Sequence, residues 1–292
     1  MHLSGLWERV DNSELERLRP VEGIALQPGP IRRAQHGESG VVSFHNPSPT
    51  SDDAAHNLVD NLFARNHRPI PGLSYAINYK LAEGRSGGDI VDVYHFDNDA
   101  VAISVADIVG KGPRAAVHAA LIKFSLRAYA SQGLAPEKVM RSLDRLYLEN
   151  NAFENTESFS SVFLGMLDPT RRYLTYASAA HEPVVVVHSD GTMLPLAVTA
   201  PLIGVFDDQH HLFKQKMVEM HPGTLIVATT DGVTEARTKH GELFGMERFT
   251  REVVKRRTES EERLAEGLLD AVEDFCGGER RDDIAIIVAR IH

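Results

Sequence analysis

The chain has 292 residues, of which 42% are hydrophobic and 25% charged, enough to bury one large core or one domain with an extension. Its formal net charge of -10, with no Lys/Arg-rich block, gives a nucleic-acid or anionic-membrane partner no electrostatic support. A single cysteine, Cys276, excludes an internal disulfide framework and a cysteine-ligated metal site, and no run of about 18 apolar residues offers a membrane span.

The start, MHLSGLWERVDNSE, has no basic region followed by an apolar one, so a cytoplasmic location is expected, without membrane or nucleic acid. Residues 1 to about 50 carry scattered prolines and glycines with weak periodicity and read as an extension. At 52–66, Ala55, Leu58, Val59, Leu62 and Phe63 repeat at helical spacing behind capping residues Thr50 to Asp53, which predicts an amphipathic helix. Such a helix covers a core, or acts as a regulatory lever or homodimer contact. The division expected is an extension over 1–70 and a folded domain over 71–292.

Apolar or alternating runs at 73–80, 90–96, 100–106, 160–168, 173–178, 184–188, 224–230 and 284–290 predict strands. Helical periodicity appears at 113–131, 135–149 and 259–275. Strands come in consecutive runs and the first two of these helices follow one another, so the expected class is α+β, with antiparallel sheets flanked by helix pairs.

Chemistry concentrates between Gly87-Gly88-Asp89 and the segment DIVGKG at 107–112, separated by the turn cluster Asp97, Asn98 and Asp99. A hairpin centred on Asn98 places Asp89 opposite Asp107, on the face that also carries Val91, Val93, Val101, Ile103 and Val105, and puts Asp92 on the other face. Opposed side chains have Cβ atoms about 4.5 to 5.5 Å apart, where like charges destabilise. A shared proton or a bridging divalent cation must compensate. An all-oxygen site without Cys or a suitable His cluster suits Mg²⁺ or Mn²⁺ rather than Zn²⁺. Two further acids sit at strand ends: Asp231-Gly232 follows 224–230, and Asp282-Asp283 precedes 284–290. Cys276 is a poor phosphatase nucleophile, because the position six residues on, where a phosphate-gripping arginine belongs, is Asp282.

From about residue 73 to 290 the chain resembles the sporulation stage II protein E branch of the PPM (protein phosphatase 2C-like) serine/threonine phosphatases. The matching pieces fall in family order: Gly-Gly-Asp at 87–89, DIVGKG at 107–112 followed by PRAA, Ala180-His181 with Pro183, DGVTEA at 231–236, GELFG at 241–245, and Asp282-Asp283-Ile284. The resemblance implies a four-layer αββα sandwich of two antiparallel sheets flanked by helices. It further implies two divalent cations, Mn²⁺ or Mg²⁺, with Asp107 bridging them, Asp89, Asp231 and Asp282 as the other carboxylates, and the Ile108 carbonyl as a further ligand. Asp282 is preferred to Asp283 because the first acid of that pair is the ligand in the family pattern.

The activity so implied is hydrolysis of a phosphoserine or phosphothreonine on a partner protein by a metal-bridging water, without a phosphoenzyme. The resemblance suggests a STAS-type anti-sigma-factor antagonist as substrate, with regulation by a separate protein or by dimerisation through 52–66. Two competitors stand beside it: a catalytically weak PPM-fold binding module in a partner-switching pathway, and a hydrolase of small phosphate esters. The chain departs from the family at Val91, where an aromatic is usual, at Ala180, where glycine is usual, and at Ala285, where threonine is usual.

Overall fold

The computed structural model describes residues 69–80, 88–110, 113–154, 158–205, 212–278 and 282–292. The extension, the helix expected at 52–66, Gly87, Lys111 and Gly112 lie outside the described residues. In chain order the elements are β1 (Leu73–Lys80), β2 (Ile90–His95), β3 (Val101–Ile108), α1 (Pro113–Ser131), α2 (Pro136–Glu154), β4 (Ser160–Leu167) and β5 (Tyr173–Ala179). There follow β6 (Val185–Val187), β7 (Met193–Pro195), β8 (Lys216–Glu219), β9 (Leu225–Thr229), α3 (Asp231–Thr234), α4 (Gly245–Arg256), α5 (Glu261–Cys276) and β10 (Ile284–Ile291).

The strands form two five-stranded sheets, ordered β1-β10-β9-β6-β7 and β2-β3-β4-β5-β8, and every pairing between them is antiparallel. Period-two alternation sorts their side chains into layers. In β3, Val101, Ile103 and Val105 face the other sheet, where they join Phe163, Ile226 and Ile287 in the central core. Ala102 and Ala106 face outward instead, and these small residues let α1 and α2 approach through Ile122, Met140 and Tyr147. The opposite outer layer packs Val227, Ile286 and Val288 against Phe249 of α4 and Leu268 and Val272 of α5. The architecture is the αββα sandwich. Among the described residues no helix is long and apolar enough to cross a membrane.

The β2–β3 hairpin has the register that a turn centred on Asn98 requires, running from Ile90↔Ala106 to His95↔Val101. Asp99 adopts φ 64 at the turn, a conformation aspartate tolerates better than most residues. Asp92 points outward to the helical layer, where Arg127 grips it with Nε at 2.5 Å and Nη2 at 2.6 Å and the Lys123 ammonium lies 3.7 Å away. Its charge is thereby balanced within α1 and faces away from the other aspartates.

Four elements were not foreseen from periodicity. Strands β7 and β8 have three and four residues, too few to show alternation. The Asp-Gly after β9 opens the one-turn helix α3 and is not an open turn. In α4, Phe249 and Val253 are the buried residues among twelve mostly charged or polar ones, so the apolar stripe is narrow.

Candidate functional site

Strand ends from both sheets converge at one end of the sandwich. Asp89 stands one residue before β2, Asp107 is the penultimate residue of β3, Asp231 follows Thr230 at the end of β9, and Asp282 and Asp283 immediately precede β10. Two backbone contacts bring these ends together. A β-carbon at Gly88 would lie 2.7 Å from the Ile108 carbonyl oxygen, and one at Gly232 would lie 1.8 Å from the Asp283 carbonyl oxygen. Only glycine permits either approach, which explains Gly88 before Asp89 and Gly232 after Asp231.

The carboxylates interact strongly. Burial, then the Asp107 charge, pushes the Asp89 carboxyl well above the usual range; a hydrogen bond from the Thr230 hydroxyl opposes this, and Asp283 and Asp231 add to it. Asp107 is raised by burial and by Asp282, with contributions from Asp283 and Glu235, while a hydrogen bond with Asp89 works the other way. Asp231 is pushed up to about 7 by burial and by Asp107, Asp282, Glu235 and Glu182. Asp89 is 5% exposed, and its Oδ2 has no hydrogen-bond partner among the described residues.

Among the described residues, no three Asp, Glu, His or Cys side chains are drawn tightly enough to hold a metal ion as they stand. The carboxylates feel one another's charge without being closed into a chelate. Closing them to about 2.0–2.1 Å around Mg²⁺ works against like-charge repulsion, which a cation reverses. The donor set suits such an ion. It is all oxygen, it includes an uncommitted buried carboxylate oxygen, and the Ile108 carbonyl lies beside Asp89 through the Gly88 contact.

The last two acids divide their neighbours. Asp282 is exposed and acts on Asp107 and Asp231, whereas Asp283 is 7% exposed and acts on Asp89, Asp107 and the Tyr79 hydroxyl. Sequence reasoning missed several neighbours. Burial, with Asp89 and Asp283 beside it, raises the Tyr79 hydroxyl, which arrives from β1. Glu182 is raised by burial and by Glu235, and a hydrogen bond from Thr234 offsets part of this. The glutamates and Thr234 lie inside the quoted motifs, so a signal was present for them; Tyr79 becomes visible only once β1 is paired with β10 at Tyr79↔Ala285.

His181 is 2% exposed, its Nδ1 lies 2.8 Å from the Ser161 hydroxyl, and burial lowers its pKa to about 4, with a partial offset from the Thr229 carbonyl. It is a neutral, hydrogen-bonded residue at neutral pH. Ala180 before it has φ 47, a left-handed conformation that accounts for glycine being usual there. Ala285 is fully buried, and its backbone is bonded to the Thr229 and Thr230 hydroxyls.

Comparison with known proteins places this geometry in context. The chain is 28% identical over 202 residues to the phosphoserine phosphatase RsbU of Bacillus subtilis (strain 168), covering 68% of this chain and 58% of RsbU, so it spans less than two thirds of that relative. In fold it is similar to the RsbU and RsbW domains of Rv1364c from Mycobacterium tuberculosis, with TM-score 0.66 and 22% identity over 76% of this chain and 61% of that one. It is likewise similar to the SiaA-PP2C domain of Pseudomonas aeruginosa, with TM-score 0.64 and 22% identity over 75% of this chain and 86% of that one. Residues 97–292 match the family described as Stage II sporulation protein E (SpoIIE). The chain therefore belongs to the SpoIIE family, a branch of the PPM, protein phosphatase 2C-like, fold.

Proposed function

We propose that the chain is a metal-dependent phosphoprotein phosphatase that hydrolyses phosphoserine or phosphothreonine on a partner protein. The observation that carries this reading is the convergence of Asp89, Asp107, Asp231 and Asp282 from four separate strand ends into one electrostatically coupled group. The similarity to a phosphoserine phosphatase supports the substrate class. The catalytic domain is assigned to 71–292, and residues 1–70 to an extension whose 52–66 segment either covers the domain's core or regulates it.

Asp107, Asp89, Asp231, Asp282 and the Ile108 carbonyl would hold two divalent cations, Mn²⁺ or Mg²⁺. Such ions, when bound, neutralise charge developing on phosphorus and lower the pKa of water. The chain's own residues do the rest. The Gly88 and Gly232 contacts fix the strand ends, and neutral His181, bonded to the Ser161 that pairs with Asp107, adds no charge beside them. The Ser/Thr phosphoprotein fitting this branch is a STAS-type anti-sigma-factor antagonist.

Hydrolysis of a generic phosphate ester with millimolar Mn²⁺, compared between wild type and Asp107→Asn, tests the reading. Loss of rate in the variant is expected. Equal background rates would replace it with the binding-module reading. Phosphopeptides and phosphoproteins assayed beside nucleotides and sugar phosphates separate a protein substrate from a small one.

A further inference from the structure

The chain enters β1 through a tight turn. Ile70, Pro71, Gly72 and Leu73 carry the type II signature, with proline second and a glycine at φ 72 third, and the Leu73 N–H donates to the Ile70 carbonyl at 3.1 Å. Ile70 and Leu73 form an antiparallel bridge, and both are buried in the central core, as partners on one face of a sheet must be. Such a bridge reverses the chain, so that the residues before Ile70 head back along β1. Hydrogen bonding fixes the side: the Gly72 carbonyl accepts from His292, just past β10, whereas the next residue, Leu73, turns its N–H the other way, to Ile70.

On that side, among the described residues, β1 is the last strand of its sheet. A groove of about 570 Å³ lies there, walled by Ser74, Ala76 and Asn78 of β1 and by Glu262, Ala265 and Glu266 of α5. Strand and helix run the same way, since β1 ends at the Lys80–Glu273 ion pair. Glu262 and Glu266 are exposed and one helical turn apart, and no ion pair among the described residues answers either. Directly before Pro69 stands the sequence Arg65-Asn66-His67-Arg68, which lies outside the described residues. Continued from Ile70↔Leu73, the register sets Pro69 opposite Ser74, His67 opposite Ala76 and Arg65 opposite Asn78. This is the face of α5, because Ala76 packs in the outer layer with Leu268 and Val272. Proline suits its place. Ile70↔Leu73 is a hydrogen-bonded pair, so the main-chain nitrogen of Pro69 is directed away from β1 and no ladder bond is lost.

We infer that residues 65–69 of this chain dock in the groove as an added edge strand on β1, with Arg65 and His67 set against Glu262 and Glu266. A second copy of β1 in the same groove would bring four glutamates together, which like-charge repulsion opposes. Helix ends shift by a residue or two, so the docked segment and the helix expected at 52–66 meet at Arg65. That junction falls towards the Lys80 end of β1, where Lys80 pairs with Ile284, next to Asp283. The extension is thereby led to the end of the sandwich at which the aspartates gather.

Disulfide trapping and amide exchange on the full chain test this. His67→Cys with Ala76→Cys joins a non-hydrogen-bonded pair, where Cα atoms stand about 4.5 Å apart and a disulfide closes. Arg68→Cys with Ala76→Cys is the slipped control, with the two side chains on opposite faces. Cys276 is buried and stays in place. The expected result is a link within one chain, formed at least about tenfold faster for the first pair than for the control. No link, a link between two chains, or equal rates in the two pairs overturns the inference. Should the Ala76 variants not fold, exchange at the Ile77 amide decides, because its N–H shares the direction of that of Leu73. Glu262→Lys with Glu266→Lys should speed that exchange about 5- to 10-fold, and adding Arg65→Glu and His67→Glu should slow it again. Unchanged exchange in the lysine variant overturns the inference, as does failure of the added glutamates to restore protection.

Discussion

Gly232 and Asp283 meet backbone to backbone, so that a β-carbon at Gly232 would stand 1.8 Å from the Asp283 carbonyl oxygen. Neither partner is a flexible side chain that could step aside. Gly232→Ala must therefore part α3 from the approach to β10, which moves Asp231 relative to Asp282 and Asp283. We expect a stability loss of about 1–3 kcal/mol, the usual range for overpacking, together with weaker Mn²⁺ binding. Denaturant unfolding and calorimetry check the two effects, and an alanine variant matching wild type in both would show that the contact does not set the spacing.

Asp92 faces the helical layer and is answered by Arg127 and Lys123. Arg127→Met removes two charge-assisted hydrogen bonds and leaves a carboxylate with the more distant ammonium of Lys123. The expected cost is about 2 kcal/mol in unfolding free energy. Mn²⁺ affinity should hold, because Asp92 points away from the other aspartates. A fall in affinity without a fall in stability would place Asp92 in the metal centre instead.

Proton linkage distinguishes the metal-free protein. Asp231 is raised from 3.8 to about 7, so the folded state binds its proton more tightly than the unfolded chain does. Stability from this group is therefore present below about pH 4 and is lost as pH rises toward about 7. His181 acts oppositely: its folded value of about 4 against 6.5 makes stability rise across that interval. Comparing wild type with Asp231→Asn isolates the carboxylate. In chelator, the asparagine variant should melt higher, with the gap widening from about pH 4 to about 7. A constant gap would show that Asp231 titrates normally.

Local patterns made much of this legible. The turn at Asn98 fixed the β2–β3 register, and with it the separation of Asp89 and Asp107 from Asp92, because period-two alternation leaves no freedom once a turn is placed. The long helix at 113–131 was readable from spacing, and the family motifs identified the acids at the ends of β9 and β10. What escaped depends on contacts distant in sequence. Tyr79 reaches Asp89 and Asp283 through the β1–β10 pairing. That approach leaves no local trace. The different exposure of Asp282 and Asp283 was hidden for a related reason: adjacent residues point apart, but which one turns inward depends on the packing of α3.

That difference yields its own prediction. Asp282→Asn removes an exposed carboxylate acting on Asp107 and Asp231, so Mn²⁺ binding and phosphate-ester hydrolysis should fall while metal-free stability holds or rises. Asp283→Asn alters a buried group beside Asp89 and Tyr79, and its main effect should be on folding. Titration calorimetry and thermal melting of the pair decide between them. The reverse pattern would assign the ligand role to Asp283.

Ala180 is the clearest case of a local cost. Its φ of 47 lies in the left-handed region, where a β-carbon costs roughly 1–2 kcal/mol, and its backbone is held there by a 3.0 Å bond from its N–H to the Ala200 carbonyl. Ala180→Gly removes that strain but adds unfolded-state entropy worth about 0.5–1 kcal/mol. The difference favours the glycine variant by up to about 1.5 kcal/mol, provided the left-handed conformation is retained. The position adjoins His181, whose ring is fixed by Ser161 and by burial, not by the Ala180 side chain, so hydrolysis should be unaffected. Denaturant unfolding at fixed pH measures the gain. A glycine variant less stable than wild type would mean that the strain is smaller than the entropy it offsets.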